Sequence, residues 1–234
     1  MSQARWIASF GNFRISETVI VSWIIIAALA LISYFLTRDL KKVPTSKRQV
    51  FLEFAIGGLY KMVNDTMGSK LVKRMPDIVP YIGSLFLFFA CSNLIGLLGF
   101  RSPTTDLDTT LAWALITFFM IYFVGVKFNG VGYFKGLMEP IPFLLPLNII
   151  GELAKPISLS FRPFGNILGG AVIMALFYQF LGWLSSFIPG IGSIPFGQLI
   201  IPVPLHLYFD LFAGLLQSFI FIMLTMVFVG NAAE

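Results

Sequence analysis

The chain has 234 residues, of which 57% are hydrophobic and 12% charged, and a formal charge of +5; its mean hydropathy is +0.88. Soluble domains carry about 25% charged residues, so this composition excludes a globule covered by water and makes lipid the solvent. The length suits one domain, here a single bundle of membrane helices, and the lone cysteine, Cys91, excludes an internal disulfide and reads as a small buried hydrophobe.

The first apolar run, residues 19–36, is 18 residues long, which exceeds a secretory signal core, and the Thr37-Arg38-Asp39 that follows offers no small-residue cleavage site. It reads as a retained first span, with residues 1–18 as an extracytoplasmic N-terminus. Residues 38–77 form a basic, amphipathic segment holding Arg38, Lys41, Lys42, Lys47, Arg48, Lys61, Lys70, Lys73 and Arg74. The runs 78–100 and 109–126 are uncharged, and each can cross about 30 Å of hydrocarbon as a helix.

Two longer segments follow. Residues 142–187 are interrupted by Glu152, Lys155 and Arg162, and residues 198–233 by His206 and Asp210, with a Pro/Gly turn at 188–195 between them. Forty helical residues extend roughly 60 Å, twice the hydrocarbon thickness, so such a helix must tilt or bend. Pro156 and Pro163 are the expected bends, since each removes a backbone donor. The predicted fold is an all-α integral membrane domain of about five transmembrane helices, the last two long, tilted and bent, with no internal repeat, low-complexity tract or soluble domain.

Lys127 and Lys135 share a side with the basic segment, whereas the opposite side holds only Arg5, Arg14 and Arg101. The positive-inside rule then places the basic side in the cytoplasm, the N-terminus outside and the C-terminus inside. An odd number of crossings is required, and five runs satisfy it.

Charge in the late segments needs a reason, because a charged group at mid-bilayer costs at least about 2.5–3.5 kcal/mol. On a helix Lys155, Arg162, Asn166 and Ile173 fall along one stripe beside Gly165, Gly169 and Gly170. In the last segment His206, Asp210, Gly214, Gln217 and Phe221 share a face at steps of three and four. Small residues let another helix come close, so the pattern describes two tilted helices facing something that must approach a buried arginine. The chain has no Gly-x-x-x-x-Gly-Lys-Ser/Thr loop for nucleotide phosphates and no Cys/His cluster for metal. No nucleotide chemistry is therefore expected of this chain, and neither a cofactor, a metal nor a nucleic acid is expected.

These residues carry a resemblance. Pro156-Ile157-Ser158-Leu159-Ser160-Phe161-Arg162-Pro163-Phe164-Gly165-Asn166 is similar to the signature of subunit a of F-type ATP synthases, in which an arginine precedes Leu-Phe-Gly-Asn. Pro146-Leu147-Asn148-Ile149-Ile150 with Glu152 resembles the family's Pro-x-Asn segment and its glutamate, and Gln217-Ser218-Phe219-Ile220-Phe221 onwards resembles its final helix. Asn93-Leu94-Ile95-Gly96 and Ser102-Pro103-Thr104 match weaker features, all in family order.

The resemblance implies that Arg162 faces a rotating ring of c subunits, each carrying an ion-binding carboxylate. Two aqueous half-channels would deliver and remove ions, with Asp210, His206, Asn166, Gln217, Glu152 and Asn148 on the ion pathway. It also implies b subunits of the peripheral stalk and the catalytic ATPase head as partners, and the plasma membrane of a bacterium as the location. The sequence departs from the family at three places: Pro163 replaces the usual leucine, Ala171 stands where many members have a glutamate, and Asp210 stands where many have a histidine, with His206 one turn earlier. The carried ion is read as a proton, with sodium as the alternative.

Each polar residue also has a structural reading. Arg162 could form a salt bridge, Asn166 and Gln217 could join helices, and His206 and Asp210 could pair at i, i+4. Lys155 could snorkel to the interface with Glu152 as its partner. The run 38–74 suits topology and lipid headgroups. A stand-alone secondary transporter with a charged mid-membrane site is the alternative function, although the internal repeats common in transporters are missing from the sequence.

Overall fold

The computed structural model describes residues 6–10, 13–44, 46–138, 141–187, 198 and 200–234. The turn read at 188–195 lies outside the described residues, as do Arg5 and residues 1–4. Where residues 1–18 were read only as a terminus, a short antiparallel hairpin of β1 (Trp6–Phe10) and β2 (Phe13–Ser16) leads into the first helix. Everything else that is regular is helical.

Among the described residues, five helices are long and apolar enough to cross a membrane. Hydrocarbon offers no partner to a backbone N–H or C=O, so an apolar run of this length closes its own hydrogen bonds as a helix. α1 (Glu17–Thr37) is the first. The basic segment then folds as α2 (Lys47–Met67) and the short α3 (Ser69–Arg74), rather than as a span. Ser46 caps α2 by accepting from the Gln49 N–H, and Gly68, at φ 82°, ends it and turns the chain into α3. α4 (Ile78–Leu94) continues through a 3-10 turn to Leu98, and α5 (Leu107–Asn129) stops at Gly130, whose φ of 63° suits glycine.

α6 (Leu145–Ser185) runs 41 residues, about 60 Å at the helical rise. It continues through Pro156 and Pro163, both of them buried, so the two prolines remove donors without ending the helix. The final span, α7 (Val203–Asn231), is not a uniform α-helix. Its first turn, Val203–His206, passes into a π-helical stretch, Leu207–Phe212, before regular α-helix resumes over Ala213–Asn231.

The C-terminal half of α7 is the centre of the bundle. Phe221, Ile222, Met226 and Val229 are fully buried, and Phe221 stacks on Phe89 of α4 with ring centroids 4.2 Å apart. Thr117 of α5 meets Thr225 at 3.4 Å, as expected where close packing rather than water exclusion holds helices together. Contacts also assign the ends. The tail of α7 meets α2 at Met67 and α5 through Asn129 Nδ2, which donates to the Ala232 carbonyl at 3.2 Å. At the opposite end Thr18 of α1 donates to Asp106 at 2.7 Å, and Asp106 also binds Arg101 at 2.7 Å. The basic helices α2 and α3 therefore sit at the end where α5 and α7 finish, and the loop carrying Arg101 sits at the other.

Gly230 lets α2 and α7 touch. A Cβ there would lie 3.1 Å from the Met67 Cα and 3.4 Å from the Thr66 carbonyl oxygen, both backbone atoms that cannot swing aside. Gly230→Val should destabilise the detergent-solubilised protein by about 1–3 kcal/mol, read as a lower thermal unfolding midpoint. Gly57→Ala, where an added Cβ meets nothing within 4 Å, should leave the midpoint level or raised.

Candidate functional site: a polar seam between α6 and α7

α6 and α7 lie antiparallel, and two side-chain contacts set their register. Asn166 Nδ2 donates to Gln217 Oε1 at 2.8 Å, and Tyr178 Oη lies 3.0 Å from His206 Nε2. Going twelve residues up α6, from Asn166 to Tyr178, thus matches going eleven back along α7, from Gln217 to His206. The two contacts stand roughly 18 Å apart along the helix. Between them Gly170 faces Phe209, whose ring an added Cβ would meet at 3.2 Å.

At the far end of the seam His206 Nδ1 and Asp210 Oδ2 are 2.6 Å apart, and both side chains are 41% exposed. An ionised carboxylate only accepts, so the imidazole nitrogen facing it carries hydrogen. The pair opens into a cavity of about 330 Å³, which reaches from His206 and Asp210 past Met174, Ala171 and Gly170 to Asn166 and includes Arg101 and Asn93 in its walls.

Asn93 closes the cavity on the bundle side. Its Nδ2 donates to the Gly214 carbonyl at 2.8 Å and to Ser218 Oγ at 2.9 Å, while its Oδ1 accepts from Thr104 Oγ1 at 2.6 Å. One amide thereby ties α4, α7 and the loop between α4 and α5 together. Gly214 permits the approach, because a Cβ there would come within 3.3 Å of the Asn93 Cβ. Ser102 braces the loop by pairing with Thr104 at 2.7 Å and donating to the Ser92 carbonyl.

Arg162 stands one turn before Asn166. It is exposed, and among the described residues no hydrogen bond or ion pair reaches it. The salt-bridge reading of Arg162 therefore finds no partner. Its neighbours on the same open side of α6 are large and apolar: Phe161 is 52% exposed and Leu168 48%. At Gly165 and Gly169 an added Cβ would meet nothing within 4 Å. Gln217 is 2% exposed, and its Nε2 is buried without a protein acceptor. Leaving such a donor unpaired costs about 1–3 kcal/mol.

On the other side of Arg162, ten residues back and so about 15 Å away, Glu152 pairs with Lys155 at 2.5 Å. The Lys155 ammonium also lies 5.7 Å from the Phe228 ring centroid of α7. Glu152 Oε2 is buried without a hydrogen-bond partner. Asn148 Nδ2 donates to the Leu137 carbonyl at 2.8 Å. The seven predicted site residues thus fall into three groups: Asp210 and His206 beyond one end, Asn166, Gln217 and Arg162 in the middle, and Glu152 with Asn148 towards the other end. Lys155, read as a possible snorkelling group, is an ion-pair partner of Glu152.

Three participants were not picked out as site residues in the sequence. Asn93 is the one amide in the otherwise uncharged run 78–100, which marks it once that run is known to be a span. Tyr178 follows Asn166, Gly170 and Met174 at steps of four. Arg101 carries no sequence signal for the cavity, because a loop delivers it there.

A family model described as ATP synthase A chain matches residues 19–230. The chain is 36% identical over 238 residues, covering 94% of it and 75% of the relative, to a protein named ATP synthase subunit a, sodium ion specific, of Propionigenium modestum. It is 36% identical over 224 residues, 94% of this chain and 88% of the other, to ATP synthase subunit a of Geobacter sulfurreducens. It is 34% identical, with the same coverage, to ATP synthase subunit a 3 of Pelobacter propionicus. These matches disfavour a stand-alone transporter, and the chain belongs to the ATP synthase A chain family, whose members are the ion-translocating, non-catalytic multi-pass membrane subunit a of the F-type ATP synthase.

Proposed function

We propose that Arg162 is the fixed charge past which the ionisable carboxylates of a ring of c subunits rotate, between two half-channels that open to opposite sides of the membrane. The observation that carries this reading is an unpaired, exposed guanidinium on an apolar helix face beside glycines that leave room for another helix. A guanidinium keeps its proton under all relevant conditions. It neutralises each ionised carboxylate that reaches it and repels a cation that would cross directly from one half-channel to the other. The ion must then travel around the ring, and its gradient becomes torque.

The cavity bounded by His206, Asp210 and Asn166 is the proposed access path from outside. The cluster of Glu152 and Asn148 belongs to the path on the cytoplasmic side. Support for this orientation comes from the positive-inside rule: Lys47, Arg48, Lys61, Lys70, Lys73 and Arg74 lie on helices at one end of the bundle, whereas the outer loop brings only Arg101. In this arrangement the protein sits in the bacterial plasma membrane as a single membrane domain, with its N-terminus outside and its C-terminus in the cytoplasm. Subunits b of the peripheral stalk would hold it against the ring, and the catalytic head would couple to it through the complex.

The ion is read as a proton, because the access cavity holds a titratable imidazole–carboxylate pair and imidazole changes charge near neutral pH. Sodium is the second reading, favoured by the similarity to the sodium-ion-specific subunit a of Propionigenium modestum. ATP-driven acidification of vesicles that is independent of added sodium supports the proton. A rate that follows sodium concentration overturns it.

Three further outcomes are expected. Arg162→Ala should abolish ion-driven ATP synthesis while the detached head still hydrolyses ATP, and retained synthesis would sink the assignment. Asp210→Asn keeps the shape and removes a charge, so ATP-driven pumping should fall by roughly tenfold or more with the complex assembled. A rate unchanged from low to high pH and across sodium concentrations would leave Asp210 as only a partner of His206. After Cys91→Ala, a cysteine at Ser46 should react with an impermeant maleimide from the cytoplasm and one at Leu98, which is 74% exposed, from outside; the reverse pattern would invert the orientation.

A further inference from the structure

His206 is held by more than Asp210. Its Nδ1 faces the Asp210 carboxylate at 2.6 Å, and its Nε2 faces the Tyr178 hydroxyl on the neighbouring helix at 3.0 Å. Tyr178 is itself fixed at a second point, because its backbone carbonyl accepts from Gln198 Nε2 at 2.8 Å. Gly182, one turn on, leaves room for that amide, since a Cβ there would approach Gln198 Nε2 to 2.7 Å. The hydroxyl that meets His206 thus sits on backbone anchored by Gln198, five residues before α7 begins.

We propose that Tyr178 is a positioning residue of the access path, holding the His206 ring in one orientation against Asp210 in both of its protonation states. With Asp210 ionised and accepting from Nδ1–H, the neutral ring presents a lone pair at Nε2, and the Tyr178 O–H donates to it. When a proton arrives, the phenolic hydrogen rotates off the Nε2 lone pair, the proton binds Nε2, and the same oxygen accepts from the new Nε2–H. The imidazolium charge is balanced by the Asp210 carboxylate, and loss of the proton towards the ring reverses each step. One proton enters and one leaves, and Tyr178 gains or loses none. A hydroxyl can serve both states because it donates and accepts; a side chain that only donates or only accepts can serve one.

The other groups facing His206 do not supply this. Asp210, on its own helix, occupies Nδ1. α6 contributes Ala171 and Met174 to the cavity, α4 contributes the neutral Asn93, and the turn at Ile95–Leu98 has no titratable side chain. From the outer loop Arg101 lines the same cavity and is bound to Asp106 at 2.7 Å. Tyr178 lies outside the lining and closes the ring's far side.

This inference rests on the proposed proton path and is tested on the intact complex in vesicles at fixed sodium. Tyr178→Phe keeps the ring and removes the hydroxyl. The hydrogen bond donated by the imidazolium is charge-assisted and the stronger of the two, so its loss should displace the pH–rate profile of ATP-driven pumping to lower pH by roughly half to one pH unit. The best rate should stay within about two- to threefold of the parent. A profile lowered equally at every pH, or not altered at all, overturns the positioning role. Should the phenylalanine variant fail to assemble, 3,5-difluorotyrosine at position 178 keeps the shape and makes the phenol more acidic. Its profile should also move, and an unmoved profile again overturns the proposal. Arg162→Ala is the separate control: if that variant kept coupled synthesis, the ion-path reading would fall first, whereas a flat Tyr178→Phe result beside an uncoupled Arg162→Ala removes only the role of Tyr178.

Discussion

A guanidinium in hydrocarbon cannot escape its charge by losing a proton, as a lysine or a carboxyl group can adjust its own, so its surroundings must do the adjusting. Arg162 places that demand at the middle of α6. The chain does not answer it internally: the acids of the two long helices are committed elsewhere, Glu152 to Lys155 and Asp210 to His206. The arginine is left on a face of Phe161, Leu168 and neighbouring apolar residues that no described element covers. A lone charge of this kind is stable only if another molecule brings a compensating group, which accounts for both the open glycines beside it and the family's place in a larger assembly.

The seam between α6 and α7 follows from the same demand. An ion that is to reach the arginine's neighbourhood needs polar groups, and each polar group within a bilayer needs a partner or a cavity. Asn166 donates to Gln217 one turn from Arg162, and Tyr178, His206 and Asp210 pair with one another at the far end. The stretch between them is kept open by residues without bulk, Gly170 and Ala171 on α6 and Gly214 on α7. A glutamate at position 171 would put its carboxylate within this cavity. The chain has alanine there, and the acid that borders this cavity, Asp210, stands on α7.

Much of this was legible because it depends on composition and short spacing. Five apolar runs gave five spans, since a run of that length in lipid has no alternative to a helix. The His206–Asp210 pair and the Glu152–Lys155 pair follow from i, i+4 and i, i+3 geometry, and Arg162 stands out because a charge in a span needs a reason. Contacts that depend on the register between two helices were not legible. His206 meets Tyr178 across a register that the sequence does not give. The shared face read for the last segment does meet α6 at both His206 and Gln217, through Tyr178 and Asn166, although Leu207–Phe212 between them is π-helical. In the folded chain Gln217 is buried at 2% while the His206 side chain is 41% exposed. The prolines of α6 were read as bends rather than ends, and the helix continues through both.

The division of α7 into two halves shows how one helix can be both scaffold and working surface. From Gly214 to Gly230 its inner face is packed against α2, α4 and α5, with Phe221 on Phe89, Thr225 on Thr117 and Gly230 on Met67. From Val203 to Phe212 it has no buried residue and borders the cavity instead. The π-helical stretch lies wholly in this second half. A π turn has poorer hydrogen-bond geometry than an α turn and persists where something specific holds it. Here Tyr178 holds it from α6, and the Asn93 amide holds the boundary from α4 by binding the Gly214 carbonyl and Ser218. The irregular turn is thus fixed at both ends by polar contacts rather than by packing. On the proposed access path, an arriving ion or proton would meet these polar contacts in the part of α7 least supported by the core.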